Sequence, residues 1–220
     1  MIRFDSEKKS ALEEYNGALK NQKIDSRVIP ILNIINNHKN YYSTSSCSGR
    51  ILLLALSSPG AKDESIILDK WHNKIKLEEL KASISTWVDY KYLYFFAQSP
   101  IFHVIARNLK AAVKLRNLGD SAGFKYSSIR SIKLIKHVKT GKEFKSMENE
   151  DIDTEFSNTS EARITVELLS TERLNVPIGQ NRQIYPDDEY LGLLVELANN
   201  SITEAHGKLE KLKVLLEKQL

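Results

Sequence analysis

A run of small hydroxylated residues that ends directly at an apolar segment constrains the fold more than any other feature. Residues 43–50 read Ser-Thr-Ser-Ser-Cys-Ser-Gly-Arg, and residues 51–56 are all apolar. An apolar segment of this length is typical of a buried strand, which we place at about 50–57. The hydroxylated run is then predicted to be a loop at the edge of the core, where Gly49 lets the backbone turn or approach a ligand.

The chemistry of this run suits an anionic ligand. Hydroxyls, backbone N–H groups and the guanidinium of Arg50 together are typical of a site for a carboxylate or a phosphate. The alternative is a serine-rich turn with one buried thiol, and residue chemistry alone favours this plainer interpretation.

Composition indicates an ordinary globular protein. The chain has 220 residues, of which 41% are apolar and 27% charged, and we expect one domain over 1–220. The single cysteine, Cys47, excludes an internal disulfide and favours a cytoplasmic location. No signal peptide or membrane-spanning run is visible, so no membrane partner is expected. One cysteine with dispersed histidines excludes a zinc-finger pattern, and no metal is expected. The net charge of +4 permits a nucleic-acid partner without requiring one.

The order of periodic segments predicts an α+β fold, with mixed or antiparallel strands and flanking helices. Apolar residues at helical spacing predict five helices, at about 5–20, 26–35, 77–85, 108–119 and 186–220. Short apolar or alternating segments predict strands, at about 50–57, 66–68, 92–96, 101–105, 123–135, 164–168 and 172–177.

Three details of this layout are further expectations. The order strand, strand, helix occurs at 50–85 and again at 91–119, which predicts an internal duplication with a second hairpin around residues 98–100. A basic run followed by an acidic run predicts an exposed charged hairpin or loop at 137–160. The last helix carries a continuous apolar stripe, whose first half is predicted to pack across a sheet and whose second half is left open between a sheet and a partner.

Familiar catalytic signatures are incomplete in this chain. It has no GxGxxG after a strand, no phosphate-binding loop that ends in GK[ST], and no GxSxG. His72 and His103 lie in or beside aromatic-flanked strands and could converge on Cys47, although single histidines are more often structural. A cysteine-dependent enzyme therefore stays open as an alternative, because Cys47 would need such a base as its neighbour.

Five ordered segments together resemble the wybutosine-synthesising methyltransferase family, which comprises the third enzyme of the eukaryotic wybutosine pathway and its archaeal counterparts. These segments are 44–51, 71–72, 101–107, 118–129 and 174–178, and the resemblance runs from near Phe4 to the C-terminus. Three departures bear on the substrate rather than the family. Ser128 stands in place of a usual glycine, Asn175 in place of a usual acidic residue, and the charged stretch at 133–155 is longer than usual.

The resemblance implies a fold unlike the usual doubly wound methyltransferase. It also implies S-adenosylmethionine as cofactor and the anticodon region of tRNA(Phe) as partner. The reaction would methylate N4 of 7-(3-amino-3-carboxypropyl)-4-demethylwyosine at position 37. Another tricyclic guanosine derivative as acceptor, or a non-catalytic tRNA-binding module, remains as an alternative.

Site residues follow from this resemblance. His103, and after it His72, is expected to accept the proton that leaves the methylated nitrogen. Cofactor binding is expected from Ser45, Ser46, Cys47, Ser48, Gly49, Arg50, Phe124 and Ser127. Contacts with the base or with RNA phosphates are expected from Trp71, Arg107, Lys125, Arg130, Lys133 and Lys136. The plainer alternatives are core packing for Phe124 and Trp71 and a solvated surface for the lysines.

Overall fold

Alternating apolar residues build antiparallel strands throughout this computed structural model, which describes residues 3–58, 65–134 and 162–220. Its helices are α1 (Arg3–Lys20), α2 (Ile29–Asn37), α3 (Leu77–Ile84), α4 (Leu109–Ala122) and α5 (Asp188–Gln219). Its strands are β1 (Tyr41–Cys47), β2 (Arg50–Leu56), β3 (Ser65–Trp71), β4 (Tyr92–Gln98), β5 (Ile101–Ala106), β6 (Ser128–Leu134), β7 (Ala162–Leu169), β8 (Leu174–Gln180) and β9 (Gln183–Ile184). None of the described helices is long and apolar enough to cross a membrane.

The described strands form two sheets in which every pairing is antiparallel. One sheet has four strands in the order β1-β5-β7-β6, and the other has five in the order β3-β2-β4-β8-β9. Helices and antiparallel sheets together confirm the predicted α+β class, and no parallel doubly wound sheet is present among these residues. The return of the chain from β2 to β3 is also confirmed.

Three segments of the chain pass from one sheet to the other along a single line. β1 continues into β2, β4 into β5 and β7 into β8, through the links 48–49, 99–100 and 170–173. On either side of these links the same neighbours stay paired, since Cys47 faces Ile101 and Arg50 faces Gln98. We call these three links the fold line. The outer faces of the two sheets meet along it.

Each sheet buries its inner face under helices. α2, α4 and the second half of α5 cover the four-stranded sheet, while α3 and the first half of α5 cover the five-stranded sheet. The predicted stripe of α5 is confirmed, because all nine of its residues are buried: Leu191, Leu194, Val195, Ala198, Ile202, Ala205, Leu209, Leu212 and Leu216. The second half of α5, left open by the sequence, thus packs within the chain. α1 lies on the other side, where Phe4 packs with Tyr42 and Ile105.

The prediction of a loop at 43–49 is wrong over most of its length. Residues 43–47 belong to β1, which pairs with β5. β1 lies at the edge of its sheet, so only its first residues, Tyr41 and Tyr42, must be buried. The following hydroxylated residues can stay accessible while their backbone remains in the ladder.

The predicted hairpin around 98–100 is also wrong. β4 and β5 lie in different sheets, so residues 99–100 bend the chain without reversing it. The two strand–strand–helix segments are therefore not equivalent units. The charged stretch at 137–160 lies outside the described residues, and the single domain over 1–220 stays a prediction.

Gly123, rather than the predicted Gly119, ends α4. Gly123 has a φ of 101°, in the left-handed region that favours glycine at a helix C-terminus. Gly119 instead lies inside the helix against β7, where an added Cβ would come within 2.7 Å of Leu168 Cδ2. Close packing between helix and sheet therefore explains this glycine.

Replacing Gly49 with alanine is expected to destabilise the fold. Its φ is 91°, and an added Cβ would lie 3.0 Å from the carbonyl oxygen of Gln98 and 3.3 Å from Pro100 Cδ. We expect Gly49→Ala to cost about 1–3 kcal/mol in urea unfolding. Gly17→Ala is the matched control, because nothing lies within 4 Å of its added Cβ in helix α1. It should stabilise by about 0.5–1 kcal/mol, and equal effects of the two changes would contradict the role of Gly49.

Candidate functional site

A row of three polar side chains crosses the outer face of the four-stranded sheet. Ser45 of β1 pairs with His103 of β5, which pairs with Glu167 of β7. Register partners in a sheet point to the same face, so the three side chains meet. Ser45 Oγ lies 2.7 Å from His103 Nδ1, and His103 Nε2 lies 2.7 Å from Glu167 Oε2. A bulge between Ser43 and Ser45 brings Ser45, rather than Thr44, opposite the histidine.

The carboxylate of Glu167 fixes the tautomer of His103. Burial raises the pKa of Glu167, but hydrogen bonds from His103 and Arg130 outweigh it and hold the pKa below 4.5. The ionised carboxylate can only accept, so in the neutral imidazole Nε2 carries the hydrogen and Nδ1 carries the lone pair. Arg130 Nη1 lies 3.1 Å from His103 Nε2, but both are donors that share Glu167, so this contact is not a hydrogen bond.

His72 lies against Gly49, near the C-terminal end of segment 43–50, and one of its ring nitrogens also carries a lone pair. Its Nδ1 lies 3.1 Å from the Gly49 carbonyl oxygen and 3.3 Å from Asp25 Oδ2. Both neighbours are acceptors, so Nδ1 carries the hydrogen and Nε2 the lone pair. Both predicted histidines therefore contact segment 43–50, at Ser45 and at Gly49. Within the described part of the chain neither forms a hydrogen bond to Cys47.

Two cavities are lined by neighbours of His103, although His103 itself lines neither. The β1-edge cavity, about 370 Å³, lies between α1, the α1–α2 connection and β1, and it is lined by Ser45 and Ser46. The fold-line cavity, about 340 Å³, lies where the outer faces of the two sheets meet, and it is lined by Phe96, Ile101 and Leu169. His103 bonds Ser45 of the first cavity and lies two residues from Ile101 of the second. The histidine is thus connected to the first cavity by a hydrogen bond and to the second through its own strand.

The predicted cofactor residues of segment 43–50 fall at different places. Ser45 and Ser46 line the β1-edge cavity. Cys47 is partly exposed and pairs in register with Ile101, on the face of His103. Arg50 is partly exposed at the fold line, where its Nε donates to Gln98 Oε1 at 2.7 Å.

Ser48 does not offer its hydroxyl to a ligand, which corrects its predicted role. The residue is fully buried, and its Oγ donates to Asp25. Gly49 is also buried, and its part in the site is to bend the backbone and present its carbonyl oxygen to His72.

Phe124 and Ser127, both predicted to bind the cofactor, are buried and have partners within the protein. Phe124 is fully buried in the core beneath the four-stranded sheet, with its ring 6.1 Å from that of Phe102. Ser127 is buried in the turn that follows α4, and its Oγ donates to the Phe124 carbonyl oxygen at 2.6 Å. Both lie on the inner side of the sheet, opposite His103. This position favours the plainer alternative, in which these residues of the motif pack in the core.

Apart from Lys136, the predicted RNA-contacting lysines and Arg130 lie in β6 and in the turn after α4. Arg130 and Lys133 belong to β6, and Lys133 pairs with Arg163, which shares the outer face with Glu167. Lys125 lies in the turn after α4, where it pairs with Asp120 at 3.3 Å. Lys136 lies outside the described residues.

Arg107 and Trp71 have structural partners. Arg107 forms an ion pair with Asp5 and lies 4.3 Å from the centre of the Phe4 ring, so it holds α1 against the sheet. Trp71 pairs in register with the buried Ile51 and packs against the core of the five-stranded sheet. This packing favours the plainer alternative for Trp71, and stacking on the base stays a prediction.

Two carboxylates of the site were missed by the sequence. Glu167 alternates with Val166 and Leu168 in β7, which predicts an outward side chain but not its partner. Asp25 directly precedes the predicted second helix, and nothing local in the sequence shows that it contacts both Ser48 and His72. Only the spatial register of distant segments could have found them.

Known proteins match this chain over nearly its whole length. The family model described as Methyltransferase TYW3 matches residues 6–218. A protein from Thermococcus kodakarensis is 37% identical over 98% of this chain and 94% of its own length. It is named tRNA(Phe) 7-((3-amino-3-carboxypropyl)-4-demethylwyosine(37)-N(4))-methyltransferase 1. A Pyrococcus furiosus protein with the same enzyme name, numbered 2, is 32% identical over 96% of this chain and 88% of its own length.

Solved structures support the same assignment. The PH1069 protein from Pyrococcus horikoshii is 36% identical, with a TM-score of 0.79 over 97% of this chain and 95% of that one. A protein from Aeropyrum pernix shares the fold, with a TM-score of 0.65 at 23% identity over 88% of this chain and 98% of that one. The family match from residue 6 to residue 218, together with relatives at 37% identity over nearly the whole chain, shows that this chain belongs to the TYW3 methyltransferase family.

Proposed function

We propose that this chain transfers a methyl group from S-adenosylmethionine to N4 of 7-(3-amino-3-carboxypropyl)-4-demethylwyosine at position 37 of tRNA(Phe). Family membership and the names of the relatives support this reaction. The observation that carries it is the lone pair of His103 Nδ1, which faces the hydroxyl of Ser45 in the wall of the β1-edge cavity, two residues along β5 from Ile101 in the wall of the fold-line cavity. Both cavities have a size typical of small-molecule sites.

The β1-edge cavity suits the cofactor. S-adenosylmethionine supplies an electrophilic methyl group on a sulfonium, and it also carries an ammonium, a carboxylate and an adenine. Glu14 and Asp25 line this cavity and suit the cationic groups, while Lys23 suits the carboxylate. Apolar surface for the nucleoside comes from Ile24 and Leu32. Ser45 and Ser46 add hydroxyls, in keeping with the role predicted for them.

The fold-line cavity suits the tricyclic base. Phe96 lines it with a partly exposed ring that can stack on a base, beside apolar surface from Leu169 and Leu174. Arg173 also lines the cavity, and Arg50 binds the side chain of Gln98 in its wall. Among the described residues, neither arginine forms an ion pair with a carboxylate. Both are therefore candidates to bind the carboxylate of the aminocarboxypropyl arm.

Ser45 and His103 provide a route for the proton of the acceptor. When a bond forms between N4 and the methyl carbon, the bond from that carbon to the sulfonium sulfur would break, S-adenosylhomocysteine would leave, and N4 would lose its proton. Ser45 Oγ takes this proton while its own hydrogen passes to His103 Nδ1, 2.7 Å away. Glu167 then stabilises the imidazolium through Nε2. His72, whose Nδ1 is held by Asp25 and the Gly49 carbonyl, is the second candidate base.

One observation favours a related acceptor as the second candidate function. Asn175 lines the fold-line cavity, where the resembling family usually carries an acidic residue. A neutral amide at this point changes the hydrogen bonds offered to the base. Another tricyclic guanosine derivative is therefore the alternative substrate, with the same cofactor and the same chemistry.

Incubation with methyl-labelled S-adenosylmethionine and tRNA(Phe) from a strain that lacks this enzyme tests the reaction directly. We expect label on N4 of the 7-substituted base after digestion. His103→Ala should lower turnover by about 10²–10⁴-fold, because it removes the proton acceptor, while calorimetry shows cofactor binding unchanged. Normal turnover in this variant would exclude His103 as the base. Tight tRNA binding without label or cofactor binding would instead support the RNA-binding module.

Cys47→Ser separates methyl transfer from thiol chemistry. The change keeps a small polar group on β1 and removes the only sulfur nucleophile of the chain. We expect measurable methyl transfer in this variant, since the proposed proton route uses Ser45 and His103. Complete loss of turnover, with cofactor and tRNA still bound, would favour the cysteine-dependent alternative.

Glu167→Gln tests the carboxylate that orients His103. We expect a lower kcat with little change in the KM for tRNA, because a glutamine amide no longer fixes the tautomer. We also expect the difference in stability between the wild type and this variant to depend on pH. The pKa of Glu167 is lowered from 4.5 on folding, so the carboxylate stabilises the fold above that pH, and this contribution is lost as pH falls through the folded-state pKa.

Urea unfolding measures this contribution. The difference in unfolding free energy between wild type and Glu167→Gln should be largest at pH 7 and should shrink toward pH 3. Glu204→Gln, at an exposed position of α5, is the matched control and should show no such trend. A difference that does not change with pH would contradict the proposed role of the charge.

A further inference from the structure

The outer face of the five-stranded sheet carries aromatic side chains that the core does not use. In β4, Leu93, Phe95 and Ala97 point inward and are buried. The alternate residues Tyr92, Tyr94 and Phe96 point outward and stay partly exposed. The rings of Tyr94 and Phe96 stack at 5.9 Å with an interplanar angle of 25°. Two adjacent rings on an exposed sheet face are the arrangement on which unpaired bases stack.

The charge around these rings is positive. The register places Lys70 and Leu52 in one row with Phe96, and Lys91 Nζ lies 5.2 Å from the centre of the Tyr92 ring. The central outward positions carry no acidic side chain. They are Ile67 and Lys70 of β3, Arg50, Leu52 and Leu54 of β2, Tyr92, Tyr94, Phe96 and Gln98 of β4, and Asn175, Pro177 and Gln180 of β8. Within the described ranges, Lys70 and Lys91 have no ion-pair partner, so this face is complementary to a polyanion.

The aromatic face continues into the fold-line cavity. Phe96, Gln98 and Asn175 belong to both, because they are outward residues of the five-stranded sheet and also line the cavity. When one base of an RNA enters this cavity, the neighbouring nucleotides of that RNA lie close to Tyr94 and Tyr92. An unpaired loop of RNA can follow this path, whereas the stacked bases of a duplex cannot reach the rings.

We infer that the outer face of the five-stranded sheet binds the unpaired nucleotides that flank the methylated base. A flanking base stacks on Tyr94, next to the methylated base on Phe96, and phosphates lie on Lys70 and Lys91. We call these four residues the stacking face. This inference rests on the proposed function, since it takes the substrate to be a tRNA. It assigns the main docking surface to the five-stranded sheet, and not to the lysines that follow α4.

Ring removal tests the stacking contact. We expect Tyr94→Ala to weaken tRNA(Phe) binding by about ten-fold and to leave the affinity for S-adenosylmethionine unchanged. Tyr94→Phe keeps the ring and should bind tRNA like the wild type. Tyr190→Ala removes an exposed tyrosine from α5 and should also bind like the wild type. Urea unfolding checks that each variant is folded.

The salt dependence of binding tests the phosphate contacts. Combined Lys70→Gln and Lys91→Gln should reduce the slope of log Kd against log salt by about 0.7 for each contact to a single strand. The control pair Lys110→Gln and Lys211→Gln removes the same charge from exposed positions of α4 and α5. An equal loss in both pairs would show a general charge effect and would overturn the assignment of the face.

The outcomes separate this inference from the proposed function. If the wild type methylates tRNA(Phe) and Tyr94→Ala binds it equally well, the stacking face is wrong and the function stands. If the wild type binds tRNA through Tyr94 but transfers no methyl group, the face stands and the function is wrong. Absence of any tRNA binding by the wild type would overturn both.

Discussion

The common bend of three strands at the fold line is the constraint on which the rest of this structure depends. Cys47 and Ile101 must pair on one side of it while Arg50 and Gln98 pair on the other, so both strands turn together. Gly49 permits this turn because a side chain there would meet the neighbouring backbone. The bend turns the inner faces of both sheets toward one shared helix, α5. It also brings the two outer faces together, which creates the cavity beside His103.

Much of the fold could be predicted because its signals are local. The alternation of β4, β5 and β7 and the apolar stripe of α5 follow directly from burial on one face. β1 was missed because an edge strand needs little apolar surface, and its hydroxylated residues are typical of loops. The sequence predicts a hairpin at 99–100 because serine and proline are typical of a change in chain direction. They do not determine the angle of that change. Only the pairing of β4 with β2 and of β5 with β1 decides between the two.

The candidate site was predictable only where one short segment carries it. Segment 43–50 and the two histidines could be named from the sequence, and the structure places them in contact. Glu167 lies 64 residues from His103 in the chain, and only the register of β5 and β7 joins them. Phe124 and Trp71 lie near recognised motifs, yet their rings face the core. Telling inward from outward aromatic residues requires the phase of each strand, and a single bulge, as at Thr44, changes that phase.

The length of α5 has a mechanical consequence. Its 32 residues span about 48 Å as one uninterrupted helix, and they contact both halves of the bent sheet system. The helix therefore bridges the two sheets across the fold line. A change in the angle between the sheets would break apolar contacts with this helix. The angle between the two outer faces at the fold-line cavity is accordingly held by apolar residues of α5 that lie on the opposite side of the sheets.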